Sequence, residues 1–185
     1  VQFNWGYSLN KVEQVYSNTI TSTFAGRTRG EGEEYGAMGK DYRLYYSLLA
    51  FHGVISAHRA KHTKMQDDDV IKLEEALIKA IPLQATRSKI GQYPRLMLRV
   101  EYNDDEIFLG DLRRYVKIDK DEGLRDISEV TLDISALDEK LTTNADKINL
   151  IKAWQDNDLK LSCKGKIGTL KDIVYEGIKG KIQMI

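Results

Sequence analysis

Arg95 to Tyr102 alternates without a fault. Leu96, Leu98, Val100 and Tyr102 point to one side of an extended chain, and Arg95, Met97, Arg99 and Glu101 point to the other. A strand with one apolar face must cover it with a second layer, so this chain has to build a sheet packed on something else. The clearest helix lies just upstream. Asp67, Asp68 and Asp69 stand where carboxylates favour a helix N-terminus, Val70, Leu73, Leu77, Ile78 and Ile81 recur on one face, and Pro82 ends the segment. Downstream, Asn103-Asp104-Asp105 predicts a turn into a short strand, Ile107 to Leu109. Upstream, the run from Tyr42 to Ala57 is apolar on both faces, as in a central strand covered on two sides, with a helix over part of it as the alternative. Strand, helix, strand in that order predicts a right-handed parallel crossover. The helix would lie over Leu96, Leu98 and Val100, leaving the Arg95/Arg99 face for solvent or a ligand. The predicted class is α+β.

Outside this unit the pattern is looser. Thr19 to Phe24 is β-prone, and Gly26, Gly30, Gly32, Gly36 and Gly39 follow, which reads as a long loop or hairpin tip. In the last third, Val130 to Ile134 alternates as a strand, and Asn144 is placed to cap a helix carrying Ile148, Ile151 and Trp154. Leu159 to Cys163 and a basic, glycine-punctuated tail complete an α+β appendage. No linker, solenoid repeat or low-complexity tract divides the chain. With 42% hydrophobic and 30% charged residues, wholesale disorder is excluded. One cysteine, Cys163, excludes an internal disulfide framework and a multi-cysteine zinc site, which points to a reducing compartment such as the cytoplasm. No apolar run reaches the length of a membrane span. Val1 stands where a natural start has Met and opens directly into a strand, so a missing upstream part is expected.

Net charge is zero, so only local clustering can point to a polyanion. Arg87, Lys89, Arg95 and Arg99 lie in a stretch without an acid. From 40 to 62, Lys40, Arg43, Arg59 and Lys61 face only Asp41, with His52, His58 and His62 interspersed. Cations on a strand face and adjoining loop, next to aromatics, are the footprint of a nucleic-acid backbone site; ordinary solvated positions are the alternative. The histidines lack metal-ligand spacing, and His52, inside an apolar run, reads as a hydrogen-bonded core or groove residue. Cys163 reads as a small buried hydrophobe. The glycines match no phosphate-binding fingerprint, and Asp67 to Asp69 read as a helix cap rather than a cation site. Trp5 and Trp154 read as packing residues, with Trp5, beside Asn4 and Gly6, also placed to line a groove. No metal or cofactor is called for.

Several separated blocks, in one order, resemble a known family. They are Phe3-Asn4-Trp5-Gly6-Tyr7-Ser8-Leu9-Asn10-Lys11-Val12, Ile20-Thr21-Ser22-Thr23-Phe24, Met38-Gly39-Lys40-Asp41-Tyr42-Arg43, Ala50-Phe51-His52-Gly53, and Ala85-Thr86-Arg87-Ser88-Lys89-Ile90-Gly91-Gln92-Tyr93-Pro94-Arg95. The chain is similar to the crRNA-binding backbone subunit of type I-B CRISPR interference (Cascade) complexes, densely from residue 3 to 118. The resemblance implies a modified ferredoxin-like (RRM-like) core with insertions over residues 1–118, a thumb at about 19–40, and a C-terminal appendage over 119–185. Copies of such a subunit form a filament on the guide, and each thumb interrupts the guide–target duplex. Lys40, Arg43, Arg87, Ser88, Lys89, Arg95 and Arg99 are then the RNA-binding candidates, and Phe24 and Met38 the candidate wedges of the thumb. The implied partners are crRNA, target DNA, further copies of the chain and other Cascade subunits, with no membrane. A ferredoxin-like core runs βαββαβ, and the first strand and first helix are missing from this sequence.

Three functions compete. The first is a non-catalytic scaffold that oligomerises along guide RNA by sequence-tolerant phosphate, sugar and stacking contacts. The second is an RNA endonuclease of the related backbone type, with Asp41 or a histidine in the catalytic role; no paired acid–base constellation accompanies them. The third is a module whose contacts are all with proteins.

Overall fold

The computed structural model describes residues 1–16, 20–22, 37–39 and 42–185. The chain opens as a long antiparallel ribbon. Strands β1 (Gln2–Phe3), β2 (Tyr7–Ser8), β3 (Gln14–Val15) and β4 (Ile20–Ser22) run out. Strands β5 (Ala37–Gly39), β6 (Arg43–Leu44), β7 (Leu49–Ala50) and β8 (Gly53–Val54) run back, pairing β1 with β8, β2 with β7, β3 with β6 and β4 with β5. Between the first three pairs the outgoing limb carries one residue more each time. Asn4, Trp5 and Gly6 face Phe51 and His52, and residues 9–13 face residues 45–48. Each surplus residue is a bulge, which bends the ribbon and increases its twist. Two glycines sit where rings lie on the backbone. A Cβ on Gly6 would stand 2.4 Å from the Phe51 ring, and one on Gly53 2.7 Å from the Phe3 ring.

Helix α1 (Ala57–Thr63) follows the ribbon, capped by Ser56, and α2 (Asp67–Leu83) follows α1. Asp67, Asp68 and Asp69 fill the first turn of α2, and the Asp69 carboxylate accepts the Gln66 N–H at 3.0 Å, so these acids act as a cap. Pro82 lies in the last turn. Strand β9 (Leu96–Tyr102) falls where the alternation placed it.

The rest of the chain makes two small sheets. Its elements are β10 (Lys117–Ile118), β11 (Thr131–Asp133), α3 (Ser135–Thr143), β12 (Ile148–Gln155), β13 (Lys160–Cys163), β14 (Lys166–Gly168), α4 (Leu170–Ile173), α5 (Glu176–Lys179) and β15 (Ile182–Met184). One sheet has the order β15-β12-β9, the other β10-β11-β13-β14. The β12/β15 and β11/β13 pairs are parallel; β9/β12, β10/β11 and β13/β14 are antiparallel. The architecture is mixed α+β.

Among the described side chains every buried apolar one lies at or beyond Leu109, from Leu124 and Val130 through Ile151 and Leu161 to Ile178. Cys163 is part of this core, and burial pushes its thiol up. Leu96, Leu98, Val100 and Tyr102 pack against it from β9. The core therefore forms where the sequence indicated an appendage, and β9 is its bridge to the first half.

Five local expectations are corrected. The run 42–57 is not a central strand; it is the return limb of the ribbon, with Tyr42, Leu44, Tyr45, Leu49 and Phe51 exposed. The parallel crossover consequently does not form, because β9 takes β12 as an antiparallel partner instead. Helix α2 meets the opposite face of β9, where its buried Glu74 binds Arg99. Ile107 to Leu109 is irregular chain that delivers Leu109 to the core. Finally, Ile148, Ile151 and Trp154 lie on strand β12, and Asn144 ends α3. The register of β12 shifts between Ile148 and Leu150, where Asn149 is surplus. That bulge puts Ile148 on the same face as Ile151 and Ala153, and so imitates a helical spacing.

Ile151 is fully buried in the middle of β12. Ile151→Ala is expected to lower unfolding free energy by about 2 to 5 kcal/mol in a urea titration, with a cavity left behind.

Candidate nucleic-acid interface

The acid-free stretch divides in two. Arg87, Ser88 and Lys89 lie on an exposed turn beyond α2, closed by N–H groups of Lys89 and Ile90 that both donate to the Thr86 carbonyl, at 2.9 and 3.0 Å. Arg95 instead bonds Asp156, reaches Asp158 at 3.2 Å, and lies 5.4 Å from the Tyr93 ring centre. Arg99 is held between Glu74 and Glu101, the latter at 2.9 Å. The hydrogen bond from Arg99, helped by Asn149, holds the Glu101 carboxyl below its ordinary range. Arg95 and Arg99 are thus neutralised within the fold, by distant Asp156, Asp158 and Glu74 and by neighbouring Glu101. Arg43 lies exposed on β6. Phe24, Lys40 and Asp41 lie outside the described residues, and Met38 is described as backbone in β5, opposite Thr21.

Helix α1 carries cations that the sequence reading noted only in part. Arg59, Lys61 and Lys64 are exposed, and among the described residues none of them is paired with a carboxylate. At 3.6 residues per turn, His58, Arg59, Lys61 and His62 span an arc of about 160°, opposite half-buried Ala60. His58 Nε2 stands 3.6 Å from Asp105 Oδ2. Lys89 is likewise exposed without a carboxylate partner among the described residues. The helix begins three residues after β8, so this charge sits at the foot of the ribbon in sequence.

The ribbon supplies rings. Trp5 is 89% exposed, Tyr16 fully exposed and Tyr42 78% exposed; Phe3, Tyr45 and Phe51 are also open. Trp5 is therefore not a packing residue, whereas Trp154 is half-buried beside the β9 register position of Met97. Exposed rings together with unpaired cations can stack bases and neutralise phosphates without reading a base edge.

The body grips the ribbon at its bulges. Within the first, Arg113 donates through Nη1 to the Trp5 carbonyl and, at 3.5 Å, to the Ala50 carbonyl. Its guanidinium forks onto Asp111 at 2.9 and 2.6 Å and lies 4.6 Å from the Tyr7 ring centre. The Arg113 hydrogen bond holds the Asp111 carboxyl below its ordinary range. His52 Nδ1 stands 4.0 Å from Asp111, and its buried Nε2 has no hydrogen-bond partner among the described residues, unlike the bonded histidine expected. Within the second bulge, buried Asn10 accepts the Leu48 N–H at 2.8 Å and donates to the Lys11 and Tyr46 carbonyls. Here Arg125 bonds Glu13 at 2.6 Å and stacks on Tyr45 at 4.1 Å, while Lys11 pairs with Glu122 at 2.8 Å. Nothing in the sequence marks Arg113; an Asp two residues before an Arg is its only local sign.

Among the described residues no group of three or more His, Cys, Asp and Glu side chains could hold a metal ion, and no helix is long and apolar enough to cross a membrane.

Two comparisons with known proteins bear on the chain. Residues 1–135 match the family model described as CRISPR-associated protein Cas7. A curated CRISPR-associated protein Cas7 of Haloferax volcanii is 34% identical over 166 residues, covering 87% of this chain and 48% of the relative. The chain thus spans about half the length of that relative.

Because Arg113 depresses the folded-state pKa of Asp111, the contact contributes stability above the ordinary carboxylate value, near pH 4, and that contribution is lost as pH falls through the lowered one. An NMR titration of Asp111 should show this low midpoint in the native protein and a rise to the ordinary range in Arg113→Ala.

Proposed function

We propose that this chain, which belongs to the CRISPR-associated Cas7 family, is part of a scaffold subunit that binds guide RNA along its spacer and oligomerises on it within a type I-B Cascade complex. The observation that carries the reading is the ribbon: a two-stranded arm with bare aromatic rings, leading into a helix whose cations have no internal partner among the described residues. A guide carries any spacer sequence, so its holder needs phosphate and stacking contacts rather than base-edge readout. The arm is then the thumb, with Phe24 and Met38 as wedges against the guide–target duplex. Lys40, Arg43, Arg87, Ser88 and Lys89 face the guide, joined by Arg59, Lys61 and Lys64. Arg95 and Arg99 shape the surface through their carboxylate partners rather than by meeting phosphate. An antiparallel β9/β12 pair with α2 on one face supports a ferredoxin-like core whose remaining strand and helix come from elsewhere in the protein. Target DNA, further copies and other Cascade subunits are its partners, in the cytoplasm.

Electrophoretic or fluorescence titration of unrelated single-stranded RNAs tests the reading. Binding should be insensitive to sequence and fall steeply with salt, and Arg59→Glu, Lys61→Glu and Lys89→Glu together should flatten the log K against log salt slope by about two to three. An unchanged slope in the triple variant removes α1 and the 87–89 turn from the interface. Arg95→Gln should lower thermal stability and leave the slope unchanged.

The scaffold reading also takes the subunit to be without strand-cleaving chemistry. Target RNA incubated with the assembled protein and Mg²⁺ should stay full-length. Fragments that disappear in Asp41→Ala would put the endonuclease reading in its place.

A further inference from the structure

We infer that Arg113 sets the angle between the arm and the body, and so the spacing at which successive arms meet the nucleic acid. This deepens the scaffold reading and rests on it for the second half of the statement.

A two-stranded ribbon has no core of its own, and its direction must be imposed where it is held. The first bulge is the place where its ladder opens. Opposite limbs there carry three residues against two, which leaves Trp5 without a register partner. Arg113 occupies the gap. One guanidinium reaches both limbs, through the Trp5 carbonyl on the outgoing side and the Ala50 carbonyl on the return side. Its other edge is fixed by the two oxygens of Asp111, and its face lies on Tyr7, again a ribbon residue. Only 8% of Arg113 is exposed.

A planar fork held on two edges and one face has little rotational freedom, so limbs bonded to it inherit its orientation. The second grip differs in kind: half-buried Leu9, Tyr46 and Leu48 pack on the core by contact that has no preferred direction, and Lys11–Glu122 and Arg125–Glu13 are exposed pairs on long side chains. Arg113 is the joint with a fixed direction; the second bulge is anchored without one. Arg113 touches neither guide nor target in this account; it acts by position.

The test measures the angle directly. Spin labels at Tyr16→Cys on the arm and Lys171→Cys on the body give a distance distribution, with Cys163 buried and unlabelled. The expected result is a single narrow distribution with native Arg113, broadened about twofold or shifted in Arg113→Ala, and also in Arg113→Lys, which keeps charge but loses the fork. Hydrogen exchange at β12 should stay protected in at least one of the two variants. An unchanged distribution overturns the inference, as does loss of β12 protection in both variants, which would make Arg113 a folding residue instead. On a long RNA, nuclease footprints of the variants should lose their regular period while affinity per subunit holds; a regular period despite a broadened distribution overturns the spacing half. If the native protein fails to protect RNA at all, the scaffold reading falls, and the distance measurement still decides the joint.

Discussion

An arm of paired strands cannot hold its own shape, because two strands bury too little to offset the entropy of ordering them. Here the described part of the ribbon buries no apolar side chain. What orders it is a separate core, on which half-buried Leu9, Tyr46 and Leu48 pack and from which polar grips reach the bulges. Arg113 takes carbonyls at the first, and the Asp121 carbonyl accepts the Lys11 N–H at 2.8 Å at the second. The bulges are thus the points of attachment, and the same segments carry exposed Trp5 and Phe51.

The same division explains the charge distribution. A count of cations places one interface at residues 87–99, but a cation is available to phosphate only if no nearer carboxylate has claimed it. Arg95 and Arg99 begin and line a strand that is half-buried between the core and α2, and a guanidinium in that position needs partners. Asp156, Asp158, Glu74 and Glu101 provide them. Arg59, Lys61, Lys64 and Lys89 are exposed, and no carboxylate among the described residues pairs with them.

Legibility followed the range of the forces involved. The α2 cap and the alternation of β9 rest on neighbours within a few residues, and both were readable. So was the resemblance of residues 3–118 to a CRISPR-associated protein, which the comparisons support at the level of the Cas7 family over residues 1–135. The spacing of Ile148 and Ile151 misled because a bulge opposite Tyr102 and Glu101 adds one residue to a strand, and no local signal distinguishes that from a turn of helix. The apolar run 42–57 misled because it reads as buried, whereas its own chain leaves much of it open.

Sequence by itself determined the mixed class, the helix, the alternating strand and the family, since these depend on periodicity and on ordered motifs along the chain. Tertiary structure alone decided which cations are free, which face α2 covers, and that Arg113 holds both limbs of the arm. Those outcomes depend on carboxylates and carbonyls brought together across 25 to 108 residues of intervening chain. Coulomb attraction and hydrogen bonding act over a few ångströms of space, and a sequence records order along the chain rather than distance through it.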